Sequence, residues 1–328
     1  MELGDYLKSV GEPGYRAGQV FAALHNGVAV SDIPNIPKSL RERLAADFCC
    51  ELPATEQVVT SKDGTKKFLL KTITGDFIEC VLLTQDYGRT VCISSQVGCK
   101  MGCAFCASGR DGFVRNLSAG EMLAQVLVSA RQGRISHIVV MGSGEPFDNY
   151  DEVIKFLSLV TAAGGINVGA RSISVSTSGI VPKIREFADL GLGVNLCISL
   201  HAPNDEIRTG IMPVARKYPI ADLLAAAKYF FEKTHRRVIF EYALIDGINT
   251  APEHAVALAK LVKGFPSHVN LINLNATGGA LKPPTRETAM KFMDTLIKAG
   301  ASATMRKSRG SDIAGACGQL KTKFATKK

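Results

Sequence analysis

The stretch Gln96-Val-Gly-Cys99-Lys-Met-Gly-Cys103-Ala-Phe-Cys106-Ala-Ser-Gly109 decides how the rest of the chain is read. Its three cysteines are spaced Cys-x-x-x-Cys-x-x-Cys, with no fourth close by. Three thiolates can hold three irons of a [4Fe–4S] cube and leave the fourth iron without a protein ligand. Ferredoxins close their clusters with four thiolates, because an electron carrier gains nothing from an open iron. An open iron can bind a substrate or cofactor. Two plainer readings stand beside this one: a zinc site, which needs a fourth ligand, and chance grouping among nine cysteines.

Outward from this segment the chain alternates strand with helix. Candidate strands are Thr90–Ser95, His137–Gly142, Ser172–Ser176, Gly193–Ser199, Val238–Ile245 and His268–Leu274. Helical patterns fill the intervals, the first opening with the capping-box pattern Ser118-Ala-Gly-Glu121. Six βα units predict a parallel sheet curved by right-handed crossovers. Periodicity alone leaves an open doubly wound sheet and an incomplete barrel both in play. In either, the site belongs at the C-terminal ends of the strands, and the cysteine loop directly follows the first of them.

Upstream the period changes. Residues 56–84 alternate over short β-rich runs split at Asp63-Gly64 and Gly75-Asp76, a β-meander. Before it, three runs at helical spacing read as a small helical unit, two of them closed by glycine and the third opened by Pro37. The expected division is a helical domain at 1–50, whose Lys and Arg residues could meet a phosphate backbone or simply form a solvated face, a sheet extension at 51–84, a core at 85–312 and a tail at 313–328 carrying Cys317.

The 328 residues are 46% hydrophobic and 21% charged, ordinary for a globular enzyme. No apolar run approaches the roughly 18 residues of a membrane span. No basic segment followed by an apolar stretch opens the chain, so a cytoplasmic protein without membrane association is expected, with cysteines used for metal or catalysis. A net charge of +9 suits a polyanionic partner such as nucleic acid, or simply a solvated surface.

Other segments fall at predicted strand ends. Met141-Gly-Ser-Gly-Glu-Pro146 places glycines where backbone can approach a ligand, and a carboxylate that can accept from an ammonium or hydroxyl. Ser176-Thr-Ser-Gly179 and Ser199-Leu-His201 offer small hydroxyls that suit a ribose or carboxylate, or that merely cap helices. Cys92 and Cys317 stand apart from the cluster. Each is either a working thiol or a small buried hydrophobe.

Taken together, Cys92-Ile-Ser-Ser-Gln-Val-Gly-Cys99, the GSGEP segment at 142–146, STSG at 176–179, SLHAPNDEIR at 199–208 and RKSRGSDIAGACGQL at 306–320 resemble the RlmN/Cfr family of radical S-adenosylmethionine (SAM) RNA adenine methyltransferases, on its adenine-C2 side. The resemblance spans essentially the whole chain. It implies an α/β fold, an incomplete (βα)6 barrel carrying one [4Fe–4S] cluster on Cys99, Cys103 and Cys106. It implies SAM contacts at Gly144, Glu145, Ser176, Ser199, Leu200, His201 and Asn275.

It also implies that Cys317 takes a methyl group from one SAM and that a radical from a second SAM activates that group. The carbon then joins adenine C2. Glu79 removes the C2 proton, and Cys92 attacks the Cys317 sulfur to release the RNA. The implied partners are 23S rRNA near the peptidyl transferase centre, the anticodon-adjacent adenine of tRNA, and an electron donor such as flavodoxin, with the enzyme a monomer. Two positions depart from the family pattern: Ser143, where Met is common, and Asn270-Leu-Ile-Asn-Leu-Asn-Ala276, where a proline-containing loop is common. A C8-methylating activity conferring antibiotic resistance, or an Fe–S RNA-binding protein without turnover, remain alternatives.

Overall fold

Beyond Gly88 the strands follow a period of two that sorts side chains by size and polarity. One face is apolar and packs under helices; the other is small or polar and looks inward. The computed structural model describes residues 2–48, 51–110 and 112–321, so the basic end beyond Lys321 lies outside the described residues.

Three helices come first: α1 (Glu2–Ser9), α2 (Arg16–His25) and α3 (Lys38–Asp47). They enclose their own apolar cluster, built on Leu7, Val20, Ile33, Leu40 and Leu44. α2 is tied to the rest through His25, whose Nδ1 accepts from the Ile166 amide at 3.2 Å. Burial pushes this imidazole's pKa down, consistent with its acceptor role. Several basic groups here are already committed, Arg16 to Glu12 at 2.7 Å and Lys38 to Glu42 at 3.7 Å.

Strands β1 (Ala54–Thr60), β2 (Lys66–Lys71) and β3 (Phe77–Gln85) form the expected antiparallel meander. Then follow β4 (Gly88–Ile93), β5 (Gln96–Gly98), α4 (Ala107–Arg110), β6 (Phe113–Asn116), α5 (Ala119–Ala130), β7 (Ile135–Val140) and α6 (Tyr150–Thr161). The remainder is β8 (Ile173–Thr177), α7 (Val181–Asp189), β9 (Asn195–Ser199), α8 (Asp205–Ile211), α9 (Ile220–Thr234), β10 (Val238–Leu244), α10 (Pro252–Leu261), β11 (Ser267–Asn273), α11 (Arg286–Lys298) and β12 (Ala303–Arg306). All but the β5–β6 hairpin join one ten-stranded sheet in the order β1-β2-β3-β4-β7-β8-β9-β10-β11-β12.

From β4 to β12 every pairing is parallel, and β3–β4 joins the meander to it antiparallel. Six strand–helix units therefore run β4–α5 to β11–α11, ending in β12. β12 is a seventh parallel strand, too short to leave a period in the sequence. The first candidate strand is shifted by two residues. Ser94 and Ser95 leave the ladder because their amides turn to Gln125 Oε1 and Ser143 O. The capping box of α5 is complete, with Ser118 and Glu121 each accepting from the other's amide.

The period-two sorting explains the interior. Val91, Ile138, Val175, Leu196, Phe240 and Leu271 point outward and are essentially fully buried under helices. Each such side chain contributes about 1.5–3 kcal/mol of burial. Their inward neighbours include Cys92, Ser174, Ser176, Glu241, Asn270 and Thr304, which leave a cavity rather than a packed core.

Candidate active site

The cavity has a volume of about 680 Å³ and runs along the inside of the curved sheet to the C-terminal strand ends. Cys99, Cys103 and Cys106 all line it, on the loop leaving β5. This loop is shaped by Gly98, at φ +78°, where a Cβ would sit 1.8 Å from the Gly112 carbonyl oxygen. The Cys99 amide donates to that same oxygen at 3.1 Å, and Cys106 N donates to Cys103 O at 3.1 Å. Burial pushes the Cys99 thiol up to about 12. It pushes Cys103 up as well, with the neighbouring Cys106 and Cys99 adding to the effect. For Cys99 and Cys103, a cationic group is what would favour the thiolate against that burial.

Among the described residues, no three His, Cys, Asp or Glu side chains are gathered as a single metal ion would need. An iron–sulfur cube asks for one thiolate at each of three separate corners, and the donor set here is three soft sulfurs. The residues fit a cluster better than a zinc ion.

The second strand end supplies a tight floor. Gly144, at φ +105°, has no room for a Cβ, which would lie 2.6 Å from Gln96 Cβ. Ser143 is buried, its amide donating to Ser94 Oγ at 2.9 Å and its carbonyl accepting from the Ser95 and Gln96 amides. Glu145 is buried, with Oε1 accepting from Phe147 N at 3.0 Å and Oε2 from Ser178 N at 2.6 Å. Burial raises its pKa, and the hydrogen bonds from Ser178 and Phe147 oppose this.

Ser176 and Ser199 line the cavity at the ends of β8 and β9. His201 adopts φ +56°, and its Nδ1 accepts from Ala243 N at 2.8 Å. Burial, helped by Arg208, pushes it down to about 3, so the ring is neutral and edge-on to Phe105 at 4.7 Å. Leu200 differs from the rest. Its side chain is fully buried and does not line the cavity; its carbonyl accepts from Arg208 Nε at 3.2 Å.

The last wall is the segment after β12. Its turn is hung on the meander: Ser61 Oγ donates to Asp312 at 2.6 Å, Gly310 N to Asp63 at 3.0 Å, and Lys67 Nζ to Ala314 O at 3.2 Å. Its far end is pinned to the cluster loop, with Ala107 N donating to Gly318 O at 2.8 Å and Ser108 Oγ to Leu320 O at 2.8 Å. Cys317, between these anchors, is exposed and faces the cavity that Cys92 lines from β4.

Residues 93–259 match the radical SAM superfamily. A Clostridium perfringens (strain 13 / Type A) protein described as a probable dual-specificity RNA methyltransferase RlmN is 46% identical over 333 residues, covering 100% of this chain and 96% of its own. A Geobacillus kaustophilus (strain HTA426) protein of the same description is 47% identical, covering 98% of this chain and 90% of its own. The crystal structure of a radical SAM methyltransferase from Sphaerobacter thermophilus matches with a TM-score of 0.95 at 44% identity, over 98% of this chain and 97% of that one. This chain belongs to the RlmN family of radical SAM methyltransferases.

Within an RlmN-type enzyme, two expected residues sit in unexpected company. Glu79, on β3, is buried and does not line the cavity. Its Oε1 lies 2.9 Å from Lys67 Nζ, and its Oε2 accepts from Lys321 N at 2.8 Å. Asn275 lines the cavity but donates to Cys317 O at 3.1 Å and accepts from Ser308 Oγ at 2.9 Å. Both residues hold the Cys317 segment.

Sequence reading missed three residues that organise this RlmN-family site. Arg208, fully buried, donates to the carbonyls of Leu200, Tyr218, Ser178 and Ser199 and so clamps two strand ends. It lay inside the SLHAPNDEIR motif, at the middle of α8, where spacing alone did not distinguish it from a solvated charge. Glu241 and Arg306 sit in the barrel interior on β10 and β12. An acidic residue within the otherwise apolar VIFEYAL strand was the signal for Glu241; nothing marked Arg306.

Proposed function

We propose that this enzyme methylates C2 of an adenine, in 23S rRNA near the peptidyl transferase centre and next to the anticodon of tRNA. One observation carries the reading: two thiols outside the cluster loop, Cys92 and Cys317, open onto the same cavity as Cys99, Cys103 and Cys106. An adenine C2 is an electrophilic carbon, so it cannot take a methyl group as an amine nitrogen does. A protein thiol that first carries the methyl group answers that difficulty.

Cys99, Cys103 and Cys106 would hold a [4Fe–4S] cluster, and Gly144, Glu145, Ser176, Ser199, His201 and Asn275 would surround SAM, with Leu200 packed behind them and its backbone bonded to Arg208 and Glu241. When bound, these groups supply a carbon radical able to take hydrogen from a methyl group. Cys317 accepts the methyl group on its sulfur and presents it to the adenine. Glu79 accepts the C2 proton, which requires Lys321 to give up its hydrogen bond to the carboxylate. Cys92 then attacks the Cys317 sulfur and frees the methylated base.

The adenine enters unstacked, most easily from a loop. The helical unit at 1–50 and the +9 net charge meet the RNA backbone. No helix among the described residues is long and apolar enough to cross a membrane. A cytoplasmic monomer reduced by a flavodoxin-class donor completes the proposal.

The test uses reconstituted enzyme, SAM, a reductant and either an rRNA fragment or a tRNA, with nucleoside mass spectrometry as the readout. C2-methyladenosine in both RNAs is the expected product. C8-methyladenosine, or release of no modified nucleoside, overturns the reading.

A further inference from the structure

The register of the meander decides which way Glu79 faces. On β3 it lies two residues before Val81, so the two side chains share one face, and Val81 pairs with Cys92 on β4. Val81 and Cys92 line the cavity, which makes this the cavity face. On β2, Lys67 sits opposite Val81 and Leu69 opposite Glu79. Lys67 is therefore the diagonal neighbour of Glu79 on that same face. The backbone of Glu79 is fixed as well: its carbonyl accepts from Ser94 Oγ at 2.7 Å, and that oxygen accepts from the Ser143 amide at 2.9 Å.

Glu79 faces the cavity yet does not line it, because the Cys317 segment covers it. Its Oε2 accepts from Lys321 N at 2.8 Å, while Lys67 Nζ stands 2.9 Å from Oε1 and donates to Ala314 O at 3.2 Å. Two of these three contacts belong to one piece of chain and are lost together when it lifts. The third lies wholly within the meander and survives. Among the described residues, Lys67 is the only side chain that bonds the carboxylate. Left with neither contact, a carboxylate on this wall would turn about its own torsions. One charge-assisted bond from a largely buried ammonium holds it.

We propose that Lys67 is a positioning residue that keeps Oε1 of Glu79 in place and, once the Cys317 segment lifts, leaves Oε2 aimed into the cavity. The idea rests on the reading of Glu79 as proton acceptor and supplies what aims it. In the step itself the adenine C2 proton passes to Oε2, and the electron pair of the C2–H bond stays with the ring. Lys67 keeps all its protons. With the segment seated, both carboxylate oxygens are occupied and the base is masked; with it raised, only Oε2 is released.

The test is a single turnover by enzyme already methylated on Cys317, so that loading of the thiol does not enter the rate. The substrate is an rRNA fragment carrying either hydrogen or deuterium at C2 of the target adenine, and release of C2-methyladenosine is followed by mass spectrometry. Lys67→Met slows product by about tenfold or more, as expected when a proton-transfer group loses its aim. Deuterium then slows this variant by a larger factor than it slows the parent, because proton removal has become the slow step. Lys67→Arg recovers most of the rate and returns the isotope effect to the parent value. Asp312→Ala, which loosens the segment without touching Glu79, leaves the isotope effect where it was.

An isotope effect in Lys67→Met equal to that of the parent overturns the proposal, since a lysine that only clamps the segment would behave like Asp312. If Lys67→Met does not fold, Lys67→Gln decides by the same comparison. Product formed by Glu79→Gln at the parent rate would overturn the proton-acceptor reading itself, and the positioning role with it. Arrest of Glu79→Gln beside an unmoved isotope effect in the Lys67 variant overturns the positioning role alone.

Discussion

The cluster loop and the Cys317 segment face one cavity, yet they are built in opposite ways. The loop takes its turn from its own segment: Gly98 makes the bend, and the Cys106 amide bonds to Cys103 O, while Ala104 and Ala107 tie the finished turn to Ile211 O and Gly318 O. The Cys317 segment has no such self-sufficiency. Asp312 is held by Ser61, 251 positions distant, and the Lys321 amide by Glu79, 242 positions distant. A ligand set confined to one short loop can be read as a motif. A thiol such as Cys317, placed by distant partners, has its position explained only after folding.

Knocking out either region should abolish product in different ways, and this is the largest expected effect. Changing Cys99, Cys103 or Cys106 to Ala removes the iron and sulfide from reconstituted protein, and with them all RNA methylation. Cys317→Ala leaves iron and sulfide at the parent level but accepts no methyl group. Metal analysis beside intact-protein mass spectrometry checks both; a triple-alanine variant with a normal cluster would break the comparison. Cys92→Ala falls between them. It still methylates Cys317 and then stalls as RNA covalently held by the protein, visible as a shifted band in a denaturing gel.

The next effect concerns stability. The cluster loop leans on α8 through Ala104 N to Ile211 O at 3.0 Å, and α8 is locked by Arg208. Arg208→Met strands several buried carbonyls and should lower folding stability by about 3 kcal/mol, seen as a reduced urea midpoint. By contrast, Asp63→Ala should shift global stability by less than about 1 kcal/mol, and Asp312→Ala should leave the urea midpoint at the parent value, because both carboxylates sit near the surface. Their effect is local: faster amide exchange across residues 306–321 and several-fold slower methyl acceptance by Cys317. A global loss of protection instead would show that the segment is part of the core.

The smallest effect is a pH dependence confined to the Cys317 segment. Burial opposes the charge on Asp63, but hydrogen bonds from Thr65, Gly310 and Ser61 outweigh it and hold the carboxyl at about 2, below its ordinary 3.8. A depressed carboxylate stabilises the folded form at pH above its unfolded value, and that contribution is lost as pH falls toward the folded one. Exchange protection of the segment should therefore be flat above pH 4 and decline between about pH 4 and pH 2. Asp63→Asn should remove that decline.

The same contrast explains how far the sequence could be read. The three-cysteine loop, the six βα units and the meander turns at Gly64 and Gly75 are local patterns, and each is visible in spacing or period. The Ser143 departure was legible as a position, but its contacts cross between strand ends: its backbone meets Ser94, Ser95 and Gln96, and its Oγ donates to Gly98 O at 3.5 Å. Arg306 and Glu241 escaped because they meet only across the barrel interior, from strands β12 and β10 that are far apart in sequence. Glu79 and Asn275 were legible as positions through the family resemblance. Their contacts to the Cys317 segment were not, since those depend on where a chain end lands.

One consequence follows from the sheet order. Among the described residues β12 pairs only with β11, and β1 only with β2, so no strand of theirs closes the curved wall. The chain from 307 to 321 crosses from β12 to the meander instead, fastened by side chains rather than by a ladder. Cys317, the thiol proposed to carry the methyl group, is thus mounted on a panel held by a few hydrogen bonds. Any motion that swings Cys317 toward a base also opens the side of the chamber, and reseating the panel for the next turnover becomes a step with its own rate.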